Sequence, residues 1–232
     1  IVKNRSQVFG YYDHNMMVMF ERTGDHLNDK PKYTPRQRLW YVRAKEVLLS
    51  TGSIERPIVF GNNDTPGVFL SAAAKEYIKV YGVLVGKKPL IFTNNDSAYE
   101  TALEFKKQGI EPIILDTWEE QTSELIDSAK NQNIQIKFCH AVIAANGYKK
   151  VRSAQIGKLN KEKTGFENTQ TIECDCICVS GFWTPTVHLA SQSGNKLKFN
   201  DDIDAFIPDK SKQNEKSVGA SNGTFTLKKT LE

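Results

Sequence analysis

The residues with the most chemistry in them are Thr93-Asn94-Asn95-Asp96-Ser97-Ala98 and, further on, Asp116. They lie inside Lys87–Trp118, which reads as strand, tight turn, helix and strand. Pro89-Leu90-Ile91-Phe92 is the first strand, Tyr99–Gln108 has helical spacing, Gly109 stops it, and Ile110–Leu115 is a second strand closed by Asp116. That order is the one in which a glycine-rich turn cradles a pyrophosphate and an acid about 20 residues later binds a ribose 2′-hydroxyl. A carboxylate at Asp116 would accept from that hydroxyl and repel a 2′-phosphate, which predicts NAD rather than NADP at this turn.

The glycine fingerprint is altered. Thr93 takes the first glycine position, Asn95 the second and Ala98 the third. Alanine suits the third, where helix packs on strand. Asparagine tolerates left-handed backbone but brings a side chain to a place where bare N–H groups normally meet phosphate. Asp96 adds a like charge. What remains is a helix N-terminus, with Asp96 and Ser97 as capping residues. Weak nucleotide binding, or a turn kept for packing, is expected here.

Other reactive residue types form no constellation. The histidines His14, His26, His140 and His188 are dispersed, and none has a serine or cysteine partner at a motif spacing, so no hydrolytic triad is read. Cys174, Cys176 and Cys178 alternate as on a strand, which would place all three sulfurs on one face. Converging pairs for a metal or disulfide are lacking, with Cys139 the only other cysteine. Buried reduced thiols are expected, which suits a cytoplasmic protein. No catalytic residue and no metal ligand is assigned.

The elements that must position the turn follow from the remaining pattern. Gln7–Tyr12, Met16–Arg22 and Gln37–Arg43 read as a first strand meander. Pro66 and Gly67 open a helix carrying Phe69, Leu70, Ala73, Tyr77 and Ile78, and Thr117-Trp118-Glu119-Glu120 starts another. Ala141–Ala145, Lys149–Ile156 and Phe166–Ile172 form a second meander, after which Cys174–Val179 returns to a parallel sheet. Leu197–Ile207 reads as a hairpin and Asp209–Lys216 as a charged loop. A strand runs into Thr51-Gly52 and exits through Glu55-Arg56-Pro57, and Gly181-Phe182-Trp183-Thr184-Pro185 repeats that logic. Two such exits imply two nucleotide domains. Arg56 could clamp a pyrophosphate or form a surface ion pair. Val218-Gly219-Ala220 resembles the place where two-dinucleotide flavoproteins carry Gly-Asp near a flavin ribitol; by that resemblance the missing acid weakens FAD and leaves NAD as the expected ligand.

The chain has 232 residues, enough for one large domain or two modest ones. Hydrophobic residues make up 39% and charged residues 25%, an ordinary globular balance. The net charge of +4 comes from lysines scattered among acids, without a basic stripe, so nucleic acid is not an expected partner. No apolar run reaches a membrane span, and no signal peptide is visible.

Several motifs together resemble the α subunit of heterotetrameric sarcosine oxidases: Arg43-Ala44-Lys45, the run Gly52–Val68, Phe92–Tyr99, Val179–Leu189 and Val218–Gly223. The resemblance implies an α/β fold of glutathione-reductase type, in which a Rossmann-like three-layer nucleotide-binding domain is inserted in a truncated FAD/NAD(P)-binding domain. The inner domain is expected over residues 65–181, and the outer one over 1–64 and 182–232. The start at Ile1 and the end at Leu231-Glu232 on an unfinished helix fit a piece of a longer chain. The resemblance further implies NAD on this subunit, flavins on or beside a partner, and β, γ and δ subunits as partners. The complex would oxidise sarcosine to glycine and pass the methyl carbon to tetrahydrofolate or release it as formaldehyde. Candidate cofactor contacts are Thr51, Gly52, Arg56, Thr93, Asn94, Asn95, Asp96, Ser97, Asp116, Gly219 and Ala220. The isolated chain is expected to be inactive and prone to self-association through strand edges. The alternatives are a subunit of an NAD-dependent amine or opine dehydrogenase, of a cyanide-forming dehydrogenase, or a nucleotide-free scaffold.

Overall fold

The computed structural model describes Ile1–Leu231; Glu232, the last residue of the helix expected at the end, lies outside the described residues. The chain divides into two compact units, Ile1–Ile54 with Trp183–Glu232, and Glu55–Phe182.

The first unit opens with strands β1 (Ser6–Tyr12), β2 (Met16–Arg22) and β3 (Gln37–Arg43), an antiparallel meander in that order. Short strand β4 (Val47–Leu49) follows, and β5 (Ser53–Glu55) carries the chain from the first unit into the second.

The second unit contains β6 (Val68–Leu70), α1 (Ser71–Tyr81), β7 (Pro89–Thr93), α2 (Tyr99–Lys107), β8 (Ile113–Asp116), α3 (Glu124–Asn131) and β9 (Gln135–Phe138). Strands β10 (His140–Gly147), β11 (Val151–Leu159) and β12 (Phe166–Glu173) form an antiparallel meander, and β13 (Cys176–Ser180) completes the unit. A parallel sheet runs β6-β13-β7-β8-β9. Its strands are covered on both faces, which is why Pro89–Thr93 and Cys176–Ser180 are buried throughout. Leu90, Phe92, Leu115, Ile177 and Val179 share one core with Val142, Ala145, Ala154 and Ile156 of the meander. Ile91, Ile114, Cys176 and Cys178 share the other with Ala74, Ile78, Phe105, Ile126 and Ala129 of the helices. The result is three layers: helices, parallel sheet, meander.

The chain then returns to the first unit with β14 (Trp183–Pro185), α4 (His188–Gln192), the hairpin β15 (Leu197–Asn200) and β16 (Ala205–Pro208), β17 (Glu215–Ser217) and α5 (Leu227–Leu231).

Several expectations need correction. Residues 55–64, read from sequence with the outer domain, lie with the second unit. Phe60 packs edge-on against Phe92 with ring centroids 5.9 Å apart, and Gly61 exchanges backbone bonds of 2.8 Å with Ile143 and Ala145. Phe69 and Leu70 lie on a strand rather than in a helix, because Val68–Leu70 pairs in parallel with Ile177–Val179. The helix after Trp118 begins only at Glu124, where Ser123 caps it by accepting from the Ile126 N–H at 3.3 Å. The three sulfurs do not share a face: Cys176 and Cys178 meet the helices, whereas Cys174 packs on the meander side. Strand alternation starts at Cys176; Cys174-Asp175 is a bend, held where the Asp175 carboxylate accepts the N–H groups of Lys87 and Lys88 at 2.8–3.0 Å. The loop read over Asp209–Lys216 contains the start of β17, too short to show as a pattern.

Candidate nucleotide-binding crevices

In open α/β sheets a ligand sits at the carboxyl ends of the strands, where the strand order reverses. In the second unit that point lies between β7 and β13, and the register sets Thr93 beside Ser180. The structure brings Thr93, Asn94, Asn95, Asp96 and Ser97 together here, but it gives most of them partners within the protein. Thr93 is fully buried; its Oγ1 accepts the Asn95 N–H at 3.0 Å and donates to the Asn95 carbonyl at 2.8 Å. The Asn95 amide reaches across the switch point, donating to the Ser180 carbonyl at 3.2 Å and to its Oγ at 3.0 Å. Asn94 N–H also donates to the Ser180 carbonyl, at 3.3 Å. Asn95 Oδ1 accepts from the backbone N–H of Ser97 at 3.1 Å and from its hydroxyl at 2.6 Å, so the donor that a phosphate would take is already capped.

Asp116 stands at the end of β8, in register with Thr93. Only 1% of it is exposed. One carboxylate oxygen accepts from the Tyr99 hydroxyl at 2.7 Å and the other from the Trp118 N–H at 3.0 Å. Burial raises the Asp116 carboxyl above its ordinary range, with Asp96 adding to the rise, against the lowering effect of those two bonds. Burial and the Asp116 bond push the Tyr99 phenol up as well. These side chains do not fit a dinucleotide in the usual manner, because the N–H groups of Asn94, Asn95 and Ser97 and the Asp116 carboxylate are engaged within the protein.

Sequence reading missed Glu55, Ser180 and Tyr99. Helix α1 has Leu70 at its N-cap, without a side-chain cap and without an acid in its first turn. Glu55 supplies the missing acceptor: its Oε2 takes the Ala72 N–H at 2.8 Å. Burial holds the Glu55 carboxyl above its usual range, against hydrogen bonds from Ser180 and Ala72 and the nearby Lys75. The sequence carries no local signal for this, since Ser71 at the first position of α1 is itself a capping residue type and Glu55 lies 16 residues earlier. Arg56 binds through its backbone, its N–H donating to Phe182 O at 2.8 Å and its carbonyl accepting Gly181 N–H at 2.6 Å. Gly181 is needed there, since a Cβ would stand 3.0 Å from the Arg56 and Pro57 carbonyl oxygens.

The first unit has its own pair of parallel strands, β4 and β17, with Leu49 opposite Ser217. Thr51-Gly52 and Gly219-Ala220 leave the carboxyl ends of these two strands, so residues far apart in sequence arrive at one edge. Val218 N–H and Ser221 Oγ both donate to the Leu49 carbonyl, at 2.9 and 3.1 Å. Thr51 Oγ1 donates to Thr186 O at 2.7 Å, and Thr186 N–H to Gly52 O at 2.9 Å. Gly52 and Gly219 have φ of 72° and 68°, the left-handed region that favours glycine. Nothing lies within 4 Å of where a Gly52 Cβ would be. The open space at this edge is thus in front of Gly52, whereas a Cβ at Gly219 would lie 3.4 Å from the Thr230 methyl.

Among the described residues no group of three or more His, Cys, Asp or Glu converges as a metal site. Cys174, Cys176 and Cys178 are free and buried, and Cys139 is half-buried. Burial first, then Cys176 and Asp175, pushes the Cys174 thiol up to about 12. Among the described residues no helix is long and apolar enough to cross a membrane.

Comparison with solved structures defines the fold. A thioredoxin reductase of T. acidophilum matches with a TM-score of 0.64 at 17% identity, covering 84% of this chain and 64% of that one. An L-proline dehydrogenase of P. horikoshii matches at 0.60 and 20% identity, covering 93% and 36%. The fold is that of FAD/NAD(P)-binding oxidoreductases. No protein-family profile matches the chain. Among curated proteins, the sarcosine oxidase subunit alpha of Corynebacterium sp. strain P-1 is 34% identical over 231 residues, covering 98% of this chain. That of Rhizobium meliloti strain 1021 is 30% identical over 229 residues. The resemblance seen in the motifs thus runs along nearly the whole sequence. The chain spans 24% and 22% of the length of these two relatives.

Proposed function

We propose that this chain is a nucleotide-binding and assembly module of a sarcosine-oxidising flavoprotein complex. The carrying observation is the 34% identity to a sarcosine oxidase α subunit along 98% of the chain. In this reading the complex removes a hydride from sarcosine to a flavin on or beside a partner subunit. Water then hydrolyses the resulting imine, so the carbon skeleton leaves as glycine and the methyl carbon departs as formaldehyde or is captured by tetrahydrofolate. The present chain contributes no acid, base or nucleophile to that chemistry. It binds NAD, with Thr51, Gly52, Gly219 and Ala220 of the first unit bordering the nucleotide, and it docks against β, γ and δ subunits. The open space at Gly52 and the shared carboxyl edge of β4 and β17 support that placement.

The test is the purified protein that carries this chain, together with its co-purifying subunits. Heat-released small molecules are identified by mass, and turnover of sarcosine, proline, glycine and opines is followed both as peroxide and with an artificial electron acceptor. NAD in the released fraction and sarcosine as the fastest substrate are expected. A preference for opines or glycine would replace the reading with the corresponding dehydrogenase. Release of no nucleotide at all would leave only the assembly role. Turnover of sarcosine by this chain without any other subunit would overturn its assignment as a non-catalytic module.

A further inference from the structure

We propose that the second unit is a self-occupied dinucleotide fold: its own side chains fill each position that a bound NAD would use, and the unit takes no nucleotide. This rests on the dinucleotide-type fold of the unit, and not on which amine the whole protein oxidises. Three receiving groups characterise such a site: the N–H groups of the turn, the N–H groups at the helix N-terminus, and a ribose-binding carboxylate. Each of the three has at least one internal ligand here. Thr93 Oγ1 takes the turn N–H of Asn95. Asn95 Oδ1 takes the N–H of Ser97, where a phosphate oxygen would otherwise accept. The Tyr99 hydroxyl donates to Asp116 as a ribose hydroxyl would, at 2.7 Å.

Two features make the occupation more than a loose closure. Asn95 is 6% exposed and bonds both sides of the switch point, since its amide nitrogen holds Ser180 on β13 while its oxygen caps the turn on the α2 side. Tyr99 is fully buried and is itself the first residue of α2. A ribose could reach Asp116 only by breaking the Tyr99 bond and moving a buried ring together with the start of the helix that carries it. The altered fingerprint at Thr93 and Asn95 and the plugging tyrosine therefore form one arrangement. Glycine at position 95 could make neither the Ser180 bonds nor the Ser97 cap.

Amide hydrogen exchange of the wild-type protein, with its subunits and with or without saturating NAD, gives the first measurement. Peptides covering residues 93–99 and 114–118 are expected to exchange identically in both states. Increased protection there on adding NAD would overturn the proposal. The second measurement is calorimetric NAD affinity of Asp116→Asn. Wild-type affinity and stoichiometry within twofold are expected, together with a lower Tm. A tenfold loss of NAD affinity in the variant, with sarcosine turnover retained, would show that Asp116 touches the nucleotide and would equally overturn it. A protein that binds no NAD anywhere would sink the NAD reading of the first unit and leave the second unit as inferred.

Discussion

Two carboxyl-end crevices in this chain differ in one respect. At β4 and β17 the turns carry Gly52 and Gly219, both with positive φ, and open space lies in front of Gly52. At β7 and β13 the corresponding turn carries Thr93 and Asn95, and the space is taken up by hydrogen bonds among side chains. Both turns solve the same problem, since backbone N–H groups at strand ends must find acceptors. One leaves room for an external ligand, and the other supplies the acceptors itself. A side chain at the turn gains a satisfied, packed loop and gives up the site.

The widest separation between the two regions should appear in Tyr99→Ala. This removes a buried ring and strands Asp116, and it should cost about 3–5 kcal/mol in denaturant unfolding. A loss below about 1 kcal/mol would mean that the ring is not a working part of the second unit. Tyr99→Phe keeps the ring and removes only the donor, so about 1–3 kcal/mol is expected. Gly52→Ala in the open crevice meets no neighbour, and its strain at positive φ should cost about 1–2 kcal/mol. Its effect should fall on nucleotide affinity, which calorimetry on the assembled protein would read. Equal losses of stability and of affinity in the Tyr99 and Gly52 variants would erase the distinction.

A pH series sharpens the same contrast. Burial raises the carboxyls of Asp116 and Glu55 in the folded state. Both groups bind protons more tightly folded than unfolded, so their contribution is full below the unfolded value near pH 4 and is lost as pH rises through the folded value. Stability should therefore decline with rising pH above about 4 through these two groups, and Asp116→Asn or Glu55→Gln should flatten the decline. An unchanged slope in both variants would contradict it.

The smallest effect is an expected absence of change. Native thiol labelling should reach Cys139 and spare Cys174, Cys176 and Cys178 until the protein unfolds, because the last three are buried and Cys174 is pushed up to about 12. Adding NAD should not speed labelling of those three. Acceleration would mean that the second unit opens to admit ligand.

The sequence alone was enough for the α/β class, for the strand–turn–helix–strand order around Thr93, and for the likeness to sarcosine oxidase α subunits. Those features are local: apolar runs, glycine stops and short motifs keep their meaning without knowledge of distant residues. Asp116 was also found at its expected position, but its use could not be read, because the residue that engages it lies on α2 and the distance between them depends on how β7 and β8 pair. The same holds for Asn95, whose partner Ser180 is 85 residues away, and for Glu55, which caps a helix that begins 16 residues later. Alternation likewise misplaced Cys174, since the bend at Asp175 is decided by the Lys87 and Lys88 N–H groups. Residue type and spacing determined which groups could receive a nucleotide. Only tertiary structure decided which of them were still available, because a hydrogen-bonding group satisfied inside the protein has the same sequence as one left open.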